Sequence, residues 1–251
     1  MFTVEQLVDI SKGFNRYLEK VHPDVKQIDI VSDKASLLEQ IEERFNQIGG
    51  MNERTVRSII KEMKPLGPEK ATQWLSSDDI REVMRKYEEE NPDFQFIGAL
   101  PLDCDAYSFC PLQKIQFDNS HKIGIIYNLD RHGQSGSHWV SMFIDTDTCS
   151  IYFSDSMGKP PKDNMLNIIN RFKEWCSKKG CETTYKFNTK RYQTDNSECG
   201  VYSCNFIIQL LHGKSYEEVI NNPLNFQEIN SCRNVYFSNN PSSYEPSKRC
   251  E

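Results

Sequence analysis

The stretch HWVSMFIDTDTCSIYFSDSMG (138–158) carries two runs of aromatic and β-branched residues on either side of a short polar turn. HWVSMFID (138–145) and IYFSD (151–155) read as strands, and the turn from Asp145 to Cys149 joins them as an antiparallel hairpin. Such a hairpin brings the start of its first strand beside the end of its second. It therefore sets His138 near Asp155 whatever the rest of the chain does. Asp145 and Asp147 fall at the opposite end and read as turn formers.

Upstream, HKIGIIYNL (121–129) is a further strand, and the glycine- and serine-rich DRHGQSGS (130–137) is a surface loop leading into His138. Phe94 and Phe96 alternate with polar neighbours after Pro92. Downstream, Met165, Ile168, Ile169, Phe172 and Trp175 share one helical face. ETTYKF (182–187) is a short strand, and CGVYSCNFIIQLLH (199–212) a strongly apolar helix closed by Gly213. Strands and helices segregate more than they alternate, which gives an α+β class.

The first 64 residues read as helices. One carries Leu7, Ile10, Phe14, Leu18 and Val21. A second, capped by Ser32, carries Ala35, Leu38, Ile41, Phe45 and Ile48, and a third carries Val56, Ile59, Ile60 and Met63. PLGPEK (65–70) reads as a linker. Trp74-Leu75 then leads into a helix capped by Ser76 or Ser77, with Ile80, Val83, Met84 and Tyr87 on its apolar face. The layout is a helical extension over 1–64, a main domain over 65–238 and a disordered tail over 239–251, NPSSYEPSKRCE following Asn239.

The 251 residues include 30 basic and 36 acidic side chains, a formal charge of −6. That balance gives no support to nucleic-acid binding by phosphate neutralisation. No apolar run approaches the roughly 18 residues of a membrane span, and acids stand in the opening MFTVEQLVDISKGF where a secretory signal would be basic and then apolar. The reading is a soluble protein with no membrane partner. Nine cysteines, at 104, 110, 149, 176, 181, 199, 204, 232 and 250, form no CxxC pair. An odd set without a signal peptide argues against a disulfide framework, and the absence of close-spaced Cys or His pairs argues against a metal site. The expectation is inert buried thiols plus one reactive one, with no cofactor.

Three places combine a reactive side chain with an unusual setting. Cys199 opens an apolar helix after a loop of small polar residues, where unsatisfied N–H groups and the helix dipole favour a thiolate. Gly200 beside it leaves no side chain to block an approach to the sulfur. The alternative is a core cysteine in a first helical turn, as Cys204 is read to be. His138 begins a strand at the mouth of a glycine-rich loop, a position from which it can reach a thiol on a neighbouring element; a partly exposed histidine that happens to begin a strand is the competing reading. Asp155 can hold one imidazole nitrogen, as the third group of a triad does. Gln193, six residues before Cys199, is either an ordinary turn residue or an amide that donates to an oxyanion without titrating.

HWVSMFID, YFSDSMG and QTDNSECGVYSC, in this order, resemble the Ulp-type cysteine peptidases that process ubiquitin-like modifiers, and their relatives the adenovirus and African swine fever virus processing proteases. WLSSDDI is similar to the Trp-Leu-x-Asp-x-x-Ile element of that family, with one residue inserted. The resemblance spans about 74–212. It implies a papain-like fold with a mixed central sheet, Cys199 as nucleophile, His138 as base, Asp155 as its orienting partner and Gln193 as oxyanion donor. It implies further that Trp74 and Trp139 roof a narrow channel for an extended Gly-Gly end of a protein substrate, with Gly200 beside it. Glu198 stands where many relatives have Asp, a change expected to matter little. The helical 1–64 region resembles the extension of the African swine fever type and giant-virus enzymes and is a candidate surface for a protein partner. The implied function is a viral thiol protease cutting structural precursors after Gly-Gly-like sites, in host cytoplasm and virion. A cytoplasmic or nuclear deconjugase for a ubiquitin-like modifier is the alternative, followed by a binding module that has lost catalysis.

Overall fold

The computed structural model describes residues 2–239 and 241–250. The chain divides into two compact units, one of residues 1–66 with 236–239 and one of 67–235 with 240–251.

In the first unit, α1 (Val4–Val21) packs on α2 (Lys34–Gln47) and α3 (Glu53–Glu62). A capping box at Thr3 and Gln6 starts α1. Leu7, Phe14, Leu18, Leu37, Phe45 and Ile59 form the core, with the Phe14 and Phe45 rings 4.6 Å apart. The sequence reading of α2 needs two corrections. Its cap is Asp33, whose carboxylate accepts from the Ser36 N–H, rather than Ser32. Leu37 faces the core while Ala35 and Leu38 are exposed, because Leu37 lies about one turn before Ile41 on the buried face.

The second unit contains α4 (Ser77–Glu90), β1 (Phe94–Pro101), β2 (Lys122–Asn128), β3 (Trp139–Asp145), β4 (Ser150–Ser154), α5 (Asp163–Lys179), β5 (Thr184–Phe187), α6 (Cys199–Leu211), α7 (Tyr216–Asn221) and α8 (Phe226–Tyr236). The strands form one sheet in the order β1-β2-β3-β4-β5. The outer pairs are parallel and the inner pairs antiparallel, so the sheet is mixed. Residues alternate between its faces. Ile123, Ile125, Val140, Met142, Ile151 and Phe153 meet α5 through Ile168, Ile169 and Phe172. Gly124, between Ile123 and Ile125, turns to the other face, where α6 lies; a Cβ there would come within 3.3 Å of Ile207. Every residue of α6 is buried, as its apolar composition requires.

The β3–β4 hairpin forms as its sequence predicts. Asp145 pairs with Ser150, and its Oδ1 accepts from the N–H groups of Asp147 and Thr148. The sequence reading stopped at Gly213 and missed α7 and α8. A capping box at Ser215 and Glu218, and Asn225 with Glu228, were the available signals.

Two further expectations are overturned. Cys104–Cys110, Cys149–Cys181 and Cys232–Cys250 are disulfides, leaving Cys176, Cys199 and Cys204 as the free thiols among the described residues. Two of these pairs join cysteines 32 and 18 residues apart, a proximity that only the fold creates. The sulfur of Cys176 lies with those of the Cys149–Cys181 bridge. The described tail residues 241–250 are tied down: Ser242 exchanges hydrogen bonds with Asn234, and the Arg249 carbonyl accepts from Asn205 and Gln209 of α6. Ser242, read from composition as solvated, is buried and donates to Asn230, and Cys250 is bridged to Cys232.

Gly158 closes the turn after β4 at φ +71°. A Cβ there would fall 2.6–2.9 Å from backbone atoms of Thr189, Lys190 and Arg191, which cannot yield as a side chain could. Gly158→Ala is expected to destabilise the protein by at least ~2 kcal/mol, lowering Tm by roughly 4–8 °C in calorimetry. An unchanged Tm would contradict this close approach.

Candidate active site

His138 directly precedes β3 and Asp155 directly follows β4, so hairpin pairing puts both at one end of the sheet. Nε2 of His138 lies 2.6 Å from Asp155 Oδ1. That oxygen also accepts the Met157 N–H at 2.8 Å. Asp155 is almost wholly buried, and Asn188 clamps its backbone on both sides, accepting from its N–H at 2.9 Å and donating to its carbonyl at 2.6 Å. The carboxylate is thus fixed before the imidazole meets it. With Nε2 engaged, Nδ1 is the nitrogen left for Cys199, which lines the same cleft as the ring and interacts with it electrostatically.

Cys199 is the first residue of α6 and is 2% exposed, yet it lines a cleft of about 460 Å³ together with His138, Gln193, Asp195, Lys159 and Trp74. The thiol therefore faces a groove, not packed hydrocarbon. Cys204, five residues on, shows the contrast: burial among apolar groups pushes its thiol far up. Burial alone would lower the His138 pKa, but the hydrogen bonds to Asp155 and Cys199 and their negative charge outweigh it, and the value rises to about 9.

Gln193 is strapped to the turn that follows Asp155. Its N–H donates to the Ser156 carbonyl at 3.0 Å, and its Oε1 accepts from Ser156 Oγ at 2.5 Å. That orientation leaves Nε2 as the free end of the amide, with one bond to the Asp195 carbonyl at 3.0 Å. Asp195 Oδ1 in turn accepts from the N–H groups of Ser197 and Glu198, shaping the entry into α6.

Trp74 is 44% exposed and lies on the rim shared by this cleft and a second one of about 530 Å³. Trp139 lines only the second; its indole Nε1 donates to the Leu75 carbonyl at 2.9 Å. Gly200 departs from its predicted position. Its missing Cβ would meet Leu75 at 3.0 Å and Trp139 at 3.2 Å, so the residue is small to admit these side chains behind the thiol rather than to clear the groove. His132, the other histidine near the loop, packs on Tyr107, away from the thiol. Sequence reasoning missed Asn188, Ser156 and Asp195. Of these only Asp195, preceding Ser197 in a turn, carries a local signal, that of an Asx turn.

A thiol, an imidazole backed by a buried carboxylate, and a side-chain amide line one groove, the groups that cysteine hydrolase chemistry uses. The chain belongs to the Ulp1 protease family, a family of cysteine proteases: residues 112–240 match the Ulp1 protease family C-terminal catalytic domain. It is 44% identical over its whole length to R355 of Acanthamoeba polyphaga mimivirus, a protein named as a thiol protease, covering 93% of it. It is 29% identical over 117 residues, 45% of this chain and 43% of the relative, to the SUMO-1 cysteine protease S273R of African swine fever virus. The fold matches the crystal structure of the African swine fever virus pS273R protease with a TM-score of 0.65 and 20% identity, over 91% of each chain.

Because the His138 pKa is above its unfolded value of ~6.5, the ring's contribution to stability is fully present below that pH and is lost as pH rises through about 9. NMR titration of the ring is expected to show a midpoint near 9 in the wild type and a clearly lower one in Asp155→Asn. Equal midpoints would remove Asp155 as a cause of the shift.

Proposed function

We propose that this chain is a viral thiol protease that hydrolyses peptide bonds following extended, Gly-Gly-like small-residue sites in structural precursor proteins. The observation that carries the reading is the short His138–Asp155 contact beside Cys199, with the ring and the cysteine lining one open cleft. The likeness to mimivirus R355 over the whole chain supports the viral setting.

In this reading the Cys199 thiolate attacks the scissile carbonyl carbon while the His138 imidazolium, held by Asp155, protonates the leaving amine. Water, deprotonated by the same ring, then releases the acid from the thioester. The N–H of Cys199, in the first turn of α6 where no intrahelical acceptor exists, and Gln193 Nε2 donate to the developing oxyanion. A rim tryptophan at Trp74 suits a backbone without side chains, since a flat indole packs closely on glycine. Trp139 acts from behind, holding Leu75 and the start of α6. The 1–64 helices are the candidate surface for a protein partner.

Cys199→Ala and His138→Ala are expected to abolish turnover while retaining binding. Wild-type kcat in Cys199→Ala would overturn the mechanism. Gln193→Ala is expected to lower kcat by ~10²-fold with a smaller change in KM, and a pure KM effect would remove it from the oxyanion site. Substrate class is separated by assaying a Gly-Gly-terminated modifier fusion beside short Gly-Gly-Ala peptides. Equal or better use of the peptides supports precursor processing, and strong preference for the fusion would replace it with deconjugation.

A further inference from the structure

The residue immediately before Cys199 is held by a buried network that the hydrolytic steps do not use. Glu198 occupies the N-cap position of α6 without a side-chain capping bond, and its side chain is 0% exposed. Arg233 of α8, equally buried, donates through Nε to both carboxylate oxygens at 3.0 and 3.3 Å and through Nη2 to one of them at 3.1 Å. Asn230 Nδ2 adds a bond at 3.1 Å, and Ser197 Oγ one at 2.9 Å. Asn230 is itself fixed by the Ala71 carbonyl and by Ser242 Oγ of the tail, and Cys232, beside Arg233, is bridged to Cys250.

As a stabilising device this pair is poor. Two charges have been taken fully out of water, and Arg233 Nη1 remains buried with no hydrogen-bond partner. Apolar or neutral groups of similar size in such places are often as stable or more so. What the pair does achieve is local to the thiol. It fixes the backbone from which Cys199 projects, and it sets a cation against the one carboxylate adjacent in sequence to the sulfur. An unbalanced carboxylate there would oppose thiolate formation.

We propose that Arg233 is a positioning residue for Cys199: by binding the Glu198 carboxylate it holds the start of α6 in place and cancels a negative charge beside the thiolate. The inference rests on the reading of Cys199 as the nucleophile. The other charged groups about the sulfur are the His138 ring with Asp155 behind it, from the hairpin, and Lys159 and Asp195 along the cleft. Of these, Asp195 accepts the Glu198 N–H through Oδ1, and it is Arg233 that pairs with the Glu198 carboxylate.

The test is the pH dependence of Cys199 alkylation by iodoacetamide, read at that peptide by mass spectrometry, with kcat, KM and Tm measured in parallel on the full chain. Arg233→Met leaves Glu198 unbalanced and is expected to move the alkylation midpoint up by about one pH unit, lowering kcat at neutral pH up to about tenfold with KM little changed. Glu198→Gln is expected to move the midpoint down. The double variant Glu198→Gln/Arg233→Met, whose glutamine can still bond Asn230 and Ser197, is expected to return it to near the wild-type value and to recover the Tm lost in either single variant. If Arg233→Met does not fold, the Glu198→Gln and double variants decide the matter: a midpoint lower in Glu198→Gln than in the double supports the proposal. Coincident midpoints in all folded variants would overturn it and leave the pair a purely structural one. Alkylation is measured whether or not the protein hydrolyses a substrate, so turnover surviving in Cys199→Ala overturns the nucleophile assignment separately.

Discussion

The site is organised around the short contact between His138 Nε2 and Asp155 Oδ1. One bond settles which ring nitrogen faces Cys199 and lifts the ring's proton affinity against the burial that would lower it. It exists because the turn from Asp145 to Ser150 fixes the register of β3 on β4, and a slip of one residue would turn every side chain of one strand to the other face. The hydrophobic alternation that buries Met142 and Ile144 toward α5 thus also sets the geometry of the polar pair at the open end of the hairpin.

The turn after Asp155 is the second organising element. Ser156 holds Gln193 by backbone and side chain, Asn188 holds Asp155 from the same downstream segment, and Gly158 lets the backbone at 189–191 approach. Histidine, carboxylate and amide are therefore parts of one hydrogen-bonded unit to which α6 delivers the thiol. α6 in turn is placed by its apolar face on the sheet and by the Glu198–Arg233 pair at its start. Two free thiols on this helix, Cys199 and Cys204, have the same chemistry and opposite surroundings, a ring and a cleft in one case and hydrocarbon in the other. Position on the helix, not composition, separates them.

Several features lay beyond any reading of local pattern. Cys149 meets Cys181 and Cys232 meets Cys250 because separate elements converge. The tail looked solvated because its residues are polar, but Ser242 is buried against Asn230 and Asn234 of α8, and the Arg249 carbonyl accepts from Gln209 of α6. Gly200 stood beside the thiol for an apparent reason of access, whereas its space is filled by Leu75 and Trp139. Glu198 read as a harmless change from Asp, yet its carboxylate is bound by the buried Arg233 guanidinium.

The sequence by itself determined the elements that obey a short period: the hairpin, the apolar helix opening at Cys199, the helices of the first 64 residues, and so the nearness of His138 to Asp155, since a tight turn leaves an antiparallel pair no other arrangement. The tertiary structure alone decided that Cys199 and the same ring line one cleft, that Gln193, held by Ser156, lines it too, and that a buried arginine binds the residue before the thiol. These depend on contacts between residues dozens of positions apart, which form only when the sheet and its two covering helices bury their apolar faces together and which leave no periodic trace in the chain.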